Sequence, residues 1–231
     1  MHIGFIVDGN RRWARERNLP TLEGHRKGFA QVEKIATHAI ENGVKFVSFY
    51  LFSTENWNRS EAEVSYLMDL LRHNIKRLSK KFQKENIRCV VMGRREPAPA
   101  DLLASLDQLE SDTKNNEKGT VCICFNYGGH WEIADAMTKI LKQYHDSGEL
   151  SNAQKIEITP EIVAKNLYHP EIPACDLIIR TSGEERISGF QLWRASYSEF
   201  LFLDKKFPDF TEKDLDDCLA EYEKRGRRFG V

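Results

Sequence analysis

Short apolar segments rich in Val, Ile and Phe recur along the chain and alternate with longer stretches that have helical spacing. The apolar segments cover residues 2–7, 46–52, 87–92, 121–125, 177–179 and 200–203. Strands buried on both faces have this near-continuous apolar character, and strands that alternate with helices are typical of a parallel sheet. The pattern therefore predicts one α/β domain over residues 1–231, with a mostly parallel six-stranded central sheet flanked by helices.

The clearest predicted helix starts after Ser60. The Ser60 hydroxyl can cap the free backbone amides while Glu63 reaches back, which would form a capping box. Apolar residues then recur at spacings of three and four and form one stripe, made of Val64, Leu67, Met68, Leu71, Ile75, Leu78 and Phe82. The stripe either only covers the sheet or also lines an apolar cavity, and both interpretations are open at this point.

Glycines and capping residues mark the ends of other elements. Three further helices are predicted from these signals: one from Gly24 to about Asn42, one from Gly128 onward and one from Thr211 onward. A loop is expected around Pro97 and Pro99, and residues 143–160 are expected to form a polar connection.

Charge and cysteine content narrow the class of protein. Lys and Arg number 34 against 35 Asp and Glu, so the net charge of -1 gives no overall positive field that would favour nucleic acid. The five cysteines are an odd number without a C-x-x-C pair, which indicates reduced core residues of a cytoplasmic protein. No apolar run approaches the ~18 residues of a membrane span, so no transmembrane segment is expected.

Polar segments follow three of the predicted strands: DGNRRW, STENWNR and RTSGEERIS. Ligands of an open parallel sheet bind beyond the carboxyl ends of its strands, so these segments are expected to lie together. Guanidinium groups and the amides after Gly9 suit phosphate oxygens, and a carboxylate pair such as Asp8 and Glu199 suits Mg²⁺. The pattern predicts a diphosphate site with Mg²⁺, and three arginine clusters favour two phosphorylated substrates bound together.

Two other classes of protein fit the sequence less well. A haloacid-dehalogenase-like phosphatase would also have a strand that ends in a nucleophilic aspartate, but it needs a second carboxylate two residues later, where this chain has Asn10. A nucleic-acid module needs a basic face with interleaved aromatics, and the segment RRWARER alone is too short for one.

Seven motifs occur in the order in which they occur in the cis-prenyltransferases of the undecaprenyl diphosphate synthase family: DGNRRWA, GHRKG, FSTENWNR, NYGGHWEI, DLIIRTSGEERIS, LWRASYSEFLF and RRFG. The chain resembles this family over nearly its whole length. The resemblance implies a Mg²⁺-dependent homodimer that condenses isopentenyl diphosphate with an allylic diphosphate such as farnesyl diphosphate. The implied product is a Z-polyprenyl diphosphate of the undecaprenyl type, and diphosphate is released.

The resemblance also implies an apolar tunnel for the growing chain, with the helix after Ser60 as one wall. Leu51, just before the second polar segment, could narrow that tunnel or be ordinary strand core. A cytoplasmic location with peripheral membrane contact for product release is a further expectation.

The resemblance assigns roles to individual residues. Asp8 is implied as the catalytic residue that binds Mg²⁺, Asn56 as a participant in proton removal, and Glu199 as a second Mg²⁺ ligand near the dimer interface. The residues implied to hold the allylic diphosphate are Gly9, Asn10, Arg11, Arg12, Trp13 and His25. The residues implied to form a flexible substrate loop are Ser53, Thr54, Glu55, Trp57 and Arg59. The residues implied to bind isopentenyl diphosphate are Arg180, Arg186, Ile187 and Ser188.

The chain departs from the family pattern at a few positions. Thr21 stands where the family usually has an arginine, and Arg15 or Arg17 could take over that phosphate contact. Ser182, Glu185 and Gly189 are further departures, which bear on affinity and on closure of the substrate loop. A non-catalytic partner subunit would be expected to lose the aspartate or the phosphate arginines. This chain keeps them, which favours an active homodimer.

Overall fold

A computed structural model describes residues 1–150 and 156–225 of the chain. Its strands are β1 (His2–Ile6), β2 (Phe46–Ser53), β3 (Ile87–Met92), β4 (Gly119–Tyr127), β5 (Leu177–Thr181) and β6 (Glu199–Leu203). They form one sheet in the order β3-β4-β2-β1-β5-β6, and each neighbouring pair of these strands is parallel. The predicted α/β domain with a six-stranded parallel sheet is confirmed.

Helices cover both faces of this sheet. Those in the described residues are α1 (Asn10–Glu16), α2 (Thr21–Glu41), α3 (Glu61–Lys84), α4 (Ala100–Thr113), α5 (Gly129–Asp146), α6 (Pro160–Asn166) and α7 (Glu212–Glu223). Phe5, Phe49 and Ile123 project from one face into a core shared with α2, α3, α4 and α7. Because side chains alternate along a strand, Ile6 and Tyr50 face the opposite side, where they share a second core with Phe190.

The long helix α3 has the buried stripe that the sequence predicts, since Met68, Leu71, Ile75, Leu78 and Phe82 are all buried against the sheet. The predicted capping box is only half right. The Ser60 hydroxyl accepts a hydrogen bond from the Glu63 backbone N–H at 3.4 Å. The Glu63 carboxylate instead contacts His25 and Arg59, and the Arg59 guanidinium offers it a stronger, charge-assisted hydrogen bond than the cap would.

The predicted start of α2 is wrong. The helix begins at Thr21, and Gly24 lies inside it where α1 and α2 cross. A Cβ atom on Gly24 would lie 1.9 Å from the carbonyl oxygen of Asn10, so glycine is required there for the close approach of two backbones. This packing holds the segment after β1 against α2.

Two other predictions concern the second half of the chain. Helix α5 continues to Asp146, so the first part of the polar connection predicted over residues 143–160 is helical, while residues 151–155 lie outside the described part. The predicted helix start at Thr211 is confirmed, and Thr211 forms a capping box there, because its hydroxyl and its backbone N–H both bond with Asp214. The terminal RRFG motif also lies outside the described residues.

None of the described helices combines the length and the apolar character that crossing a membrane would need.

Candidate active site

The carboxyl ends of β1, β2 and β5 bring the three polar segments together, because these strands are adjacent in the sheet. They surround a cavity of about 500 Å³. Its lining includes eleven of the residues that the sequence assigned to the site: Asp8, Gly9, Asn10, Arg11, Arg12, His25, Ser53, Asn56, Arg59, Arg180 and Ser188. The parallel topology therefore gathers residues that lie up to 180 positions apart in the chain.

The turn between β1 and α1 presents the first of these segments. Gly9 has φ of 98°, in the left-handed region, and its N–H donates to the Asp8 carboxylate at 2.6 Å. A Cβ atom on Gly9 would lie 2.7 Å from the Ser182 hydroxyl, so both the backbone angle and the space favour glycine. The Asp8-Gly9 turn therefore aims a carboxylate and the start of α1 at the cavity.

The Asp8 carboxylate is held between two guanidinium groups. Arg180 donates to its Oδ2 at 2.9 Å, and the Arg12 guanidinium lies 3.4 Å from the same oxygen. Burial alone would raise the pKa of Asp8, but the hydrogen bonds from Arg180 and from the Gly9 N–H outweigh it and lower the pKa below the ordinary aspartate value. Asp8 is therefore a carboxylate at neutral pH.

Arg180 is the most constrained of the cavity cations, with only 4% of its surface exposed. Besides Asp8, it donates to the Ser188 hydroxyl at 2.8 Å and to the backbone carbonyl of Arg186 at 2.5 Å. Its Nε–H is buried and has no hydrogen-bond partner among the described residues. Arg180 thus fixes the loop after β5 and keeps a donor for a ligand.

A second carboxylate, Glu184, links two arginines from different segments. Arg12 donates to one of its oxygens at 2.9 Å, and Arg186 donates to the other at 2.6 Å. The backbone that leads to it turns through Ser182 and Gly183, with φ of 81° and 76°. Left-handed backbone favours glycine, so Ser182 holds a conformation that is costly for a residue with a side chain.

Glu63 connects the helices around the other end of the cavity. The sequence pattern assigned it only to a capping box and did not predict this role. Glu63 is 9% exposed, and its carboxylate lies 3.1 Å from His25 Nε2 and 3.0 Å from Arg59. Arg11 lies 3.8 Å from its second oxygen. Burial lowers the pKa of His25, while the Glu63 carboxylate opposes that shift. The sequence signal that was available is the spacing of four residues between Arg59 and Glu63 across the start of α3, a spacing that is common for ion pairs.

The segment after β2 is a short 3₁₀ helix, Thr54–Asn58, and its polar residues mostly bond with one another. Asn56 Oδ1 accepts from the Ser53 backbone N–H at 3.1 Å, which orients its amide at the cavity wall. Trp57 turns away, because its indole N–H donates to Asn126 at 2.8 Å and its ring packs edge-on against Phe52.

Several implied site residues do not line the cavity, namely Trp13, Thr54, Glu55, Trp57, Arg186 and Ile187. Trp13 donates to Asp209 at 2.7 Å, and Ile187 packs against an apolar cluster of the core. Glu55 lines a neighbouring depression that also includes Ser53, Asn56 and Ser188. Their assignment to substrate binding stays a prediction from the resemblance.

Arg15 and Arg17, proposed to replace the arginine that is absent at Thr21, face different ways. Arg15 lines the cavity. Arg17 pairs with Asp209 at 2.8 Å, and its guanidinium carbon lies 4.5 Å from the centre of the Trp13 ring. The structure therefore favours Arg15 as the replacement.

The expected pairing of Asp8 with Glu199 in one chain is wrong. Glu199 is the first residue of β6 and pairs in register with Leu177, the first residue of β5. It therefore lies at the amino edge of the sheet, while Asp8 lies beyond the carboxyl edge, and Glu199 bonds with Arg225 at 3.0 Å. The sequence interpretation failed because Glu199 begins its strand, whereas Asp8, Ser53 and Arg180 end or follow theirs. A role for Glu199 as a ligand at a dimer interface stays a prediction.

The donors around Asp8 fit a magnesium ion that arrives with a diphosphate. Within residues 1–150 and 156–225, no group of three or more His, Cys, Asp and Glu side chains could hold a metal by itself. Mg²⁺ often takes only one or two protein carboxylates and completes its shell with phosphate oxygens and water. Asp8 lines the cavity together with five arginines, and a carboxylate has lone pairs beyond those that Gly9 and Arg180 use.

A small apolar cavity adjoins the polar one. It has a volume of about 40 Å³ between β2, α2 and α3, and it shares Val7, Leu51 and Leu67 with the main cavity. Its other walls include Phe29, Val32 and Leu71. The stripe on α3 therefore both covers the sheet and lines a cavity, although the tunnel itself stays a prediction.

The comparisons with known proteins are consistent over the whole chain. Residues 6–230 match the prenyltransferase family model described as "Putative undecaprenyl diphosphate synthase". An isoprenyl transferase of Thermotoga maritima is 42% identical over 229 residues, which cover 99% of this chain and 96% of the relative. A decaprenyl diphosphate synthase of Mycobacterium tuberculosis is also 42% identical, over 99% of this chain and 76% of the relative.

A solved structure has the same fold. Lavandulyl diphosphate synthase from Lavandula x intermedia, in complex with dimethylallyl diphosphate, superimposes with a TM-score of 0.92. The two are 32% identical, and the match covers 100% of this chain and 98% of that protein. With the sheet, the cavity and these matches in agreement, the chain belongs to the undecaprenyl diphosphate synthase family of prenyltransferases.

Proposed function

We propose that this protein condenses isopentenyl diphosphate with an allylic diphosphate, of which farnesyl diphosphate is the expected one, to give a Z-polyprenyl diphosphate. In each step the allylic C–O bond breaks and diphosphate leaves with the bonding electrons. The double bond of isopentenyl diphosphate then forms the new C–C bond, and a proton is lost from the adduct. The observation that carries this proposal is the cavity in which Asp8 and Arg180 meet Arg11, Arg12 and Gly9.

The charges of the cavity favour a diphosphate leaving group. Arg11, Arg12, Arg15 and Arg180 supply guanidinium donors, and the turn at Gly9 leads into the first turn of α1. Negative charge builds up on the diphosphate as the C–O bond breaks, so fixed cations stabilise the transition state more than the bound substrate. Arg180 suits this role because its bonds to Asp8 and Ser188 hold it in place before the ligand arrives.

We propose Mg²⁺ as the cofactor, with Asp8 as its protein ligand. A bound Mg²⁺ neutralises charge on the diphosphate oxygens. The chain's own part is to keep the Asp8 carboxylate ionised, through the hydrogen bonds from Arg180 and Gly9 that lower its pKa. Asn56 lies at the same cavity and is oriented by Ser53, which supports a role in relaying the departing proton.

The apolar side cavity supports the proposal that the prenyl chain lies between α2 and α3. Leu51 and Leu67 line both cavities and stand where a hydrocarbon tail would leave the polar site. At about 40 Å³ the side cavity is too small for a long chain, so α2 and α3 would have to separate as the chain grows. Product length would then depend on how far these walls yield, and an undecaprenyl-type length is the family expectation.

The family resemblance further supports a cytoplasmic homodimer in which Glu199 serves a partner's site, with peripheral membrane contact for release of the product. Glu199 lies on β6, the strand at one edge of the sheet, where a second subunit has access to it.

The test is incubation of the purified protein with Mg²⁺, farnesyl diphosphate and labelled isopentenyl diphosphate, followed by sizing of the lipid products. Asp8→Ala should abolish elongation. Asp69→Asn is a matched control, because Asp69 is a surface carboxylate of α3 that pairs with Arg72 outside the cavity. Failure of the native chain to elongate any allylic starter, with the fold intact by circular dichroism, would contradict the proposal.

A further inference from the structure

Two of the arginines that are expected to bind phosphate, Arg12 and Arg186, donate hydrogen bonds to Glu184 in this structure. Its two carboxylate oxygens each accept a hydrogen bond from a different arginine, Arg12 at 2.9 Å and Arg186 at 2.6 Å. Arg12 lines the cavity, and Arg186 belongs to the segment that the resemblance assigns to the second diphosphate. One carboxylate therefore spans two segments that are both expected to contact phosphate.

The Glu184 carboxylate offers its oxygens to Arg12 and Arg186 in the way that a bound diphosphate would. A diphosphate also offers several oxygens to more than one guanidinium group, and its charge is larger than that of a carboxylate. The two anions compete for the same donors, and a carboxylate left beside bound phosphate would repel it. The Arg186 side chain hydrogen-bonds with Glu184 and is largely exposed, at 61% of its surface, so a ligand can reach it.

We propose that Glu184 is an internal anion that occupies Arg12 and Arg186 in the ligand-free protein and gives them up when a diphosphate binds. The inference rests on the proposed function, because it assumes that these arginines receive diphosphate. Beyond that function, it assigns Glu184 a role in setting the affinity for diphosphate, because Glu184 competes with diphosphate for the two arginines. Arg12 and Arg186 stay oriented toward each other in the absence of substrate, and the affinity for diphosphate is lower than the arginines alone would give.

The surrounding backbone allows this exchange without movement of the loop. Ser182 N–H donates to the Lys205 carbonyl and Gly183 N–H to the Leu203 carbonyl, both at 2.9 Å, so the residues before Glu184 are bonded to the end of β6. The Glu184 side chain itself is 28% exposed. Its carboxylate can therefore turn into solvent while the backbone stays in place, so displacing it from the two arginines costs little free energy.

The experiment measures binding of inorganic diphosphate by calorimetry in metal-free buffer at fixed ionic strength, for the native protein, Glu184→Gln and Glu185→Gln. Glu185 is the next residue and is exposed, so its change removes the same charge nearby without touching the bridge. Half-exposed ion pairs each contribute a small factor, so Glu184→Gln should bind diphosphate about three- to tenfold more tightly. Glu185→Gln should stay within about twofold of the native protein.

A Glu184→Asp variant separates charge from reach. Aspartate keeps the charge, but its side chain is one methylene shorter and cannot span both arginines, so its affinity should fall between those of the native protein and Glu184→Gln. Stronger product inhibition by diphosphate in the elongation assay of Glu184→Gln is expected for the same reason.

The direction of the change decides between competition and simple support. If Glu184 only holds the arginines in place, its loss weakens diphosphate binding, and an unchanged or weaker affinity in Glu184→Gln overturns the inference. If the native protein binds diphosphate and Glu184→Gln binds it no more tightly, the competing role of Glu184 is refuted. The proposed diphosphate site is not affected by that result. If neither the native protein nor Glu184→Gln binds diphosphate, the proposed diphosphate site is wrong and the inference falls with it.

Discussion

Replacement of Arg194 by methionine should destabilise the protein strongly, because it breaks a buried ion pair. Arg194 is 4% exposed and Glu132 is 1% exposed, and the guanidinium donates to the carboxylate at 2.6 Å. Arg194 also donates to the backbone carbonyls of Ile172 and Tyr168, so it joins three segments of the chain.

The magnitude follows from what the change leaves behind. Removal of one partner of a buried pair costs about 3–5 kcal/mol, since the other charge stays buried without its counter-ion. Glu132 would keep two hydrogen bonds, from the Tyr127 hydroxyl at 2.5 Å and the Tyr168 backbone N–H at 3.1 Å. We therefore expect a loss near the lower bound, about 3 kcal/mol of unfolding free energy.

Urea denaturation followed by circular dichroism measures this loss, and a double-mutant cycle assigns it to the pair. Glu132→Gln removes the other charge, and the double variant should be more stable than the sum of the two single losses predicts, by about 1–3 kcal/mol. Arg88→Met is the control, because its pair with Glu171 is half-exposed and should contribute less than about 1 kcal/mol. A loss below about 1 kcal/mol for Arg194→Met, or strict additivity in the cycle, would refute the reasoning.

Three further predictions follow from other contacts. Burial lowers the pKa of His2 from 6.5 to about 4, so the folded state binds fewer protons than the unfolded chain between those two pH values. His2 should therefore cost up to about 3 kcal/mol of stability as the pH falls from 6.5 to 4, and His2→Gln should show a flatter pH dependence in denaturant titrations. Gly24→Ala should lower stability by about 1–3 kcal/mol, because the new Cβ meets the Asn10 carbonyl, and a thermal melt unchanged from that of the native protein would contradict this. Arg15→Ala should raise the KM for the allylic diphosphate several-fold while Arg17→Ala leaves it nearly unchanged, and equal effects would show that the cavity lining does not identify the phosphate contact.

The sequence predicted the fold because the apolar segments of this chain are also the segments that are buried as strands. All nine residues of β4 are buried, and strands buried on both faces have an apolar run that needs no partner to be recognised. Helices α1, α4 and α6 were not singled out, since they are short or lack a strong start signal. The start of α2 was misplaced because Gly24 is also a typical helix-end residue, and only its contact with Asn10 shows its use.

The candidate site was predicted in part, and the misses have a common cause. Asp8, Ser53 and Arg180 were placed together correctly, because each follows or ends a strand of one parallel sheet. Glu63 and Glu184 were missed as site residues, because their partners lie on segments distant in sequence.

The sequence by itself determined the strands, the parallel sheet and the polar segments at three strand ends, because these depend on local periodicity and on the direction in which each strand runs. Only the tertiary structure decided which charges meet. It placed Glu199 at the opposite edge from Asp8, and it gave Glu184 the two arginines. Strand order, register and side-chain direction set those distances, and they are properties of the packed chain rather than of any one segment.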